Sequence, residues 1–165
     1  MSVLYSASFG AQVANTTTET SLLVTAPTLP ANFLQLSSIL RVQLAGQYLT
    51  KDTPTLNIRV KVGFAKISSG VRAMPTDVRA LMVWKLDMFV GFSVIGNNGF
   101  AGGEGTLTYF STAVTPLAIA IAPTVTFIDT TVPNLVDVTA QWNTADINNF
   151  IIPQIQVIEY IPGVT

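Results

Sequence analysis

Apolar and polar residues alternate with a period of two along most of this chain. In TLNIRVKVG, residues 55–63, Leu56, Ile58, Val60 and Val62 alternate with Asn57, Arg59 and Lys61, the pattern of a strand with one buried and one wet face. SILRVQLAGQYL (38–49) repeats it, with Leu40, Val42 and Leu44 against Arg41 and Gln43. The longest alternation is ALMVWKLDMFVGFSVIG (80–96). There Met82, Trp84, Leu86, Met88, Val90, Phe92 and Val94 share one face, and Lys85, Asp87, Gly91 and Ser93 share the other, which predicts a long central strand. Residues 3–9, 20–26, 103–112, 124–131, 134–142 and 150–161 read as further strands. Turn-forming clusters separate these runs: NTTTET (15–20), PTLPAN (27–32), KDTP (51–54), SSG (68–70), GNNGFAGGEG (96–105), VPN (132–134) and NTADINN (143–149). Helix is scarce; one short turn is predicted from Pro75 to Arg79, with Thr76 as its cap. About eight or nine strands imply an all-β fold, an antiparallel β-sandwich that is jelly-roll-like. Residues 1–12 read as an N-terminal arm or an edge strand, and 13–165 as a single β-sandwich domain.

The last strand breaks its own alternation. Pro153 interrupts FIIPQIQVIEYI, and Ile155, Val157 and Ile161 fall on the parity opposite to Ile152 and Ile158. Proline cannot donate to a ladder, so Pro153 belongs at an edge or a bulge. Both faces of the strand are apolar, which predicts the core on one side and a neighbouring subunit or another protein on the other.

Composition narrows the chemistry. The chain is 49% hydrophobic and 10% charged, with a mean hydropathy of +0.50, whereas a typical domain is about 25% charged. Such a surface must be covered by small polar side chains or by another protein. A net charge of -1 supplies no basic field for nucleic acid. Cys and His are both absent, which removes disulfides, thiolate or imidazole zinc sites, and nucleophiles that depend on histidine. No cofactor is expected. MSVLYSASFG lacks the basic and long apolar regions of a secretory signal. The 80–96 window carries Lys85 and Asp87 and is too short for a membrane helix, so no membrane partner is expected and synthesis in the cytoplasm is.

Each candidate site has a plain structural reading beside the functional one. The glycines of 96–105 are followed by the strand-like TLTYF rather than a helix, so a hairpin loop is favoured over a phosphate loop. Asp87, Asp129 and Asp137 stand at positions expected to face water and do not suggest a paired-carboxylate enzyme. Arg41, Arg59, Lys61 and Lys85 read as a solvated face or a salt-bridged partner patch. Trp84 lies in the apolar register and reads as core, whereas Trp142, at a strand end, is open to either core or sugar stacking.

Several segments carry a family resemblance. VANTTTETSLLVTAPTLPANFLQLSSILRVQLAGQY (13–48), TPTLNIRVKVG (53–63), GFAGGEGTLTYFST (99–112) and LVDVTAQWNTADINNFIIPQIQVIEY (135–160) resemble small β-sandwich structural proteins of tailed phages; 64–80 has no counterpart. The resemblance implies a non-enzymatic virion protein on the capsid surface. The form expected is a decoration (cement) protein that binds the major capsid protein as a symmetric dimer or trimer. The alternative is a tail-tip or head-fibre knob whose loops bind host glycan. A major capsid subunit of a small icosahedral virus would need a basic arm that the sequence lacks. Apolar positions near the two ends are the expected partner contacts: Val3, Leu4, Tyr5, Phe9, Ile155, Val157 and Tyr160.

Overall fold

The computed structural model describes residues 1–74, 77–110 and 116–163, with side chains described for all of these except 77–80. The described residues form thirteen strands: β1 (Ser2–Ser8), β2 (Val13–Ala14), β3 (Thr20–Ser21), β4 (Thr28–Leu29), β5 (Ile39–Thr50), β6 (Thr55–Val62), β7 (Ala65–Ser68), β8 (Arg72–Ala73), β9 (Asp77–Val94), β10 (Gly99–Phe110), β11 (Leu117–Ile128), β12 (Asn134–Trp142) and β13 (Phe150–Ile161). They build two antiparallel sheets packed face to face. The larger runs β1-β13-β5-β9-β10-β11, with β2 also on β13; the smaller runs β3-β12-β6-β7, with β4 on β12 and β8 on β6. The fold is therefore an all-β antiparallel sandwich.

The alternations decide which side chains fill it. Leu40, Val42 and Leu44 of β5, Met82 to Phe92 at even positions of β9, and Ile58, Val60 and Val62 of β6 are all buried between the sheets. Burying a side chain of this size stabilises by roughly 1.5–3 kcal/mol. Trp84 and Trp142 are both in this core. The Trp142 indole N–H donates to the Val13 carbonyl at 3.1 Å, which fastens β2 beneath the end of β12.

Four segments depart from the sequence reading. Residues 20–26 form a strand only at Thr20–Ser21, because the Ser21 hydroxyl accepts from Leu23 N–H at 3.1 Å and donates to Asp137 at 2.6 Å, turning the chain between the sheets. The glycine-rich 96–105 is not a loop beyond residue 98. Strand β10 begins at Gly99, since Ile67 of the facing sheet lies where a Cβ on Gly103 would stand. The strand expected at 124–131 starts earlier, at Leu117, and ends at Ile128. The helical turn at 75–79 is replaced from Asp77 onward by β9, which pairs with Thr50; residues 75 and 76 lie outside the described residues.

Pro153 sits in a bulge of an interior strand, not at an edge. β13 pairs with β1 on one side and β5 on the other, and its register against β5 shifts between Pro153 and Ile155. The bulge presses on β5 so closely that a Cβ on Gly46 would meet the Ile152 carbonyl oxygen and the Pro153 backbone.

Candidate docking face

The outer faces of the two sheets differ in chemistry. On the smaller sheet Asn57, Arg59 and Lys61 of β6 alternate with its core residues, and their register partners Gln141, Thr139 and Asp137 lie beside them on β12. Glu19 binds this face: it lies 3.2 Å from Arg59 and 3.3 Å from Lys61 and accepts from the Thr139 hydroxyl at 2.8 Å. Burial pushes the Glu19 carboxyl up, but Thr139, Arg59 and Lys61 together outweigh it and hold the group below its ordinary value. This is a self-satisfied polar surface.

The larger sheet presents ordered rows. One runs Ile161, Ile39, Gly91, Gly102 and Val125 across five strands. The next runs Val3, Glu159, Arg41, Phe89 and Glu104. Behind them come Val157, Gln43, Asp87 and Thr106, then Ile155, Ala45, Lys85 and Thr108, then Ile152, Gln47, Val83 and Phe110. Of the charges crossing this face, Arg41, Lys85, Asp87 and Glu159 are mutually paired, and Glu104 stands apart from them. Arg41 lies 3.6 Å from Asp87 and 3.7 Å from Glu159, Lys85 lies 3.8 Å from Asp87, and Gln43 donates to Asp87 at 3.1 Å. Arg41 also stands over the Phe89 ring, 5.7 Å from its centroid. Paired charges of this kind cost less to cover than free ones.

Ahead of the belt lies a depression of about 270 Å³ lined by Ile39, Phe89, Gly91, Gly102, Glu104 and Val125. Its floor is bare backbone at Gly91 and Gly102. Neither glycine has positive φ, and added Cβ atoms would meet nothing nearer than 4.0 Å at Gly91 and 3.7 Å at Gly102. Glycine inside a strand costs about 0.5–1 kcal/mol against alanine, and no internal contact calls for it here. Glycines inside strands occur at bulges, at bends, or where another backbone or a ligand approaches closely. Two positions further along the same strands Phe100 and Phe127 are register partners, their ring centroids 4.6 Å apart.

The structure brings three of the seven expected contact residues together here: Val3, Ile155 and Val157. Leu4 and Tyr5 are turned against the core instead, because a bulge between Val3 and Tyr5 shifts β1; the Tyr5 hydroxyl donates to Gln156 at 3.4 Å. Tyr160 is buried, its ring 4.7 Å from Phe33, since the bulge after Pro153 places it on the inner parity. Phe9 is exposed at the end of β1 with φ of 62°, held by its N–H bond to the Gln154 carbonyl. Residues 2–8 pair with β13 of their own chain. The four basic residues do not cluster: Arg41 and Lys85 are on one outer face, Arg59 and Lys61 on the other.

Sequence reasoning missed Ile39, Phe89, Gly91, Gly102, Val125 and Phe127. A signal was present in 80–96, where Leu81, Val83 and Phe89 occupy the parity assigned to water. No protein-family model, curated protein or solved structure matches the chain.

Proposed function

We propose that this chain is a structural protein of a tailed-phage virion, a capsid decoration protein that lays the outer face of its larger sheet on the major capsid lattice. The observation that carries the reading is the contrast between the faces. One is polar and satisfied by its own ion pairs, while the other offers apolar rows, internally paired charges and a glycine floor. Interface cores are depleted in free charge and packed like protein interiors. The strand order supports the reading as well: β2-β13-β5-β9 faces β3-β12-β6-β7, with the chain passing between sheets as two interlocked Greek keys would in a jelly roll. The β10–β11 hairpin extends one edge of that arrangement. The sequence resemblance points the same way, and the reading invokes no cofactor or catalytic residue.

The alternative, a glycan-binding knob, has less behind it. Trp142 is buried, and the polar groups of the 143–149 loop are engaged within the chain: Asp146 accepts from Asn148 N–H at 2.8 Å and from the Asn148 side chain at 2.9 Å, and Asn143 and Asn149 accept from the Thr55 and Lys51 N–H groups. Two measurements test the proposal. Quantitative mass spectrometry of virions is expected to find hundreds of copies per particle; a dozen or fewer overturns it in favour of a tail or vertex. Gly102→Val is expected to leave the melting temperature unchanged or slightly raised, because a Cβ fits there, and to abolish co-sedimentation with undecorated capsids. Undiminished capsid binding by this variant would remove the face from the account.

A further inference from the structure

Among the described residues the sheets have edges at β1 and β2, at β3 and β4, at β7 and β8, and at β11, and all but β11 are blunted; β2, β4 and β8 have two residues each. β3 has two residues. β7 has four and carries Lys66. β1 has seven and is interrupted by the bulge between Val3 and Tyr5. Short length, lysine and bulges are the ordinary protections against edge-to-edge pairing. β11 is different: it has twelve residues and no charge, and between Asp87 and Asp129 the only charged residue of the sequence is Glu104. Its own bulge, where Ala122 and Pro123 oppose Glu104, divides it and leaves Thr124–Ile128 as an uninterrupted, uncharged run. Within that run Val125 is 69% exposed and Phe127 is 68% exposed. No other large hydrophobic side chain described within a strand is as exposed.

We propose that Thr124–Ile128 is a self-pairing edge: two copies of the chain join antiparallel along it, about a twofold axis that passes at Thr126 perpendicular to the sheet. Backbone geometry leads to this occupant. An edge offers a row of N–H and C=O groups that only another extended backbone satisfies in full. An antiparallel pair of identical segments is closed by a twofold axis, so the contact ends at two copies. Such a pair must match residues of the same parity, because outward-pointing N–H and C=O groups face their own kind. A centre at Thr126 satisfies this, setting Val125 opposite the second copy's Phe127 and Thr124 opposite its Ile128. Val125 and Phe127 are both on the outer face, so each exposed pair becomes an aromatic on β-branched cross-strand contact. The axis keeps the same face outward on both copies. The pairing does not depend on capsid docking, but it would merge two docking faces into one.

Sedimentation equilibrium of the full chain, from about micromolar to about millimolar as befits a small interface, is expected to show mass rising from 17.6 kDa to twice that value. The double variant Val125→Lys/Phe127→Lys is expected to stay at the mass of one chain throughout, with circular dichroism and melting unchanged because both side chains are exposed. The chain has no cysteine, so the register is read directly. Val125→Cys chains mixed with Phe127→Cys chains are expected to give the mixed disulfide several-fold over either symmetric one, since opposite Cβ atoms are about 5 Å apart and diagonal ones about 7–8 Å. A wild-type chain that stays monomeric over the whole range overturns the proposal. So does a dimer or trimer that persists in the lysine variant, or symmetric disulfides as abundant as the mixed one.

Discussion

Several buried polar atoms have no hydrogen-bond partner among the described residues, and three of them lie together in the core: the hydroxyls of Tyr48 and Tyr109 and the indole N–H of Trp84. The two tyrosine rings meet edge to face at 5.6 Å, and Tyr109 is the register partner of Trp84. A buried donor left unmade costs about 1–3 kcal/mol. Tyr109→Phe is therefore expected to lose no stability and to gain up to about 1 kcal/mol in denaturant titration. Burial pushes the Tyr48 phenol up to about 12, and burial raises Tyr109 as well, with Tyr48 adding to the rise. The folded chain thus keeps these protons where the unfolded chain has shed them. Stability is expected to be flat with respect to these groups below pH about 10 and to fall as pH rises from there towards 12, and Tyr48→Phe/Tyr109→Phe is expected to flatten that alkaline limb. Trp142 is the opposite case, because its N–H is used by the Val13 carbonyl. Trp142→Phe is expected to cost about 2–4 kcal/mol in the same titration, the sum of an unpaired carbonyl and a partial cavity.

Two strands use the same device. Pro153 in β13 and Pro123 in β11 each sit where the register shifts, and each reverses which parity faces the core. Ile151 and Pro153 point inward, and then Gln156, Ile158 and Tyr160 do; Ile119 and Ile121 point inward, and then Thr126 and Ile128 do. The β13 bulge needs Gly46 opposite it. Gly46→Val is expected to cost more than about 3 kcal/mol, whereas Pro153→Ala costs about 1 kcal/mol, a contrast thermal melts will resolve. The bulges also explain what could be read in advance. β5, β6, β9 and β12 were legible because one face of each is apolar and period two needs no tertiary knowledge, and β13 because an apolar run continues on both sides of Pro153. β11 was only half legible, since Pro123 splits it into two short runs of opposite parity. The start of β10 read as a loop because the reason for Gly103 is Ile67, thirty-odd positions away in sequence and visible only once the sheets are packed. Of the docking face, Ile155 and Val157 were legible from the double-sided pattern of β13. Phe127 and Val125 were not, because their exposure follows from β11 being last in its sheet.

At the scale of the whole molecule the sandwich has two outer faces of different chemistry, and its construction order matters as much as its shape. β13 follows every other described strand in the chain, yet it lies between β1 and β5 and also holds β2. Among the described residues neither β1 nor β2 pairs with another strand. A chain stopped after Asn149 is expected to lack the native fold altogether, shown by loss of the cooperative melt and of near-ultraviolet dichroism from Trp84 and Trp142. Pairings between residues so far apart in sequence fold slowly, on the order of milliseconds to seconds. During synthesis, then, the first strands emerge with no mate and must wait for the arrival of the thirteenth. Through that interval the β10–β11 hairpin, already made and carrying Glu104 as its one charge, is the segment most in need of a chaperone.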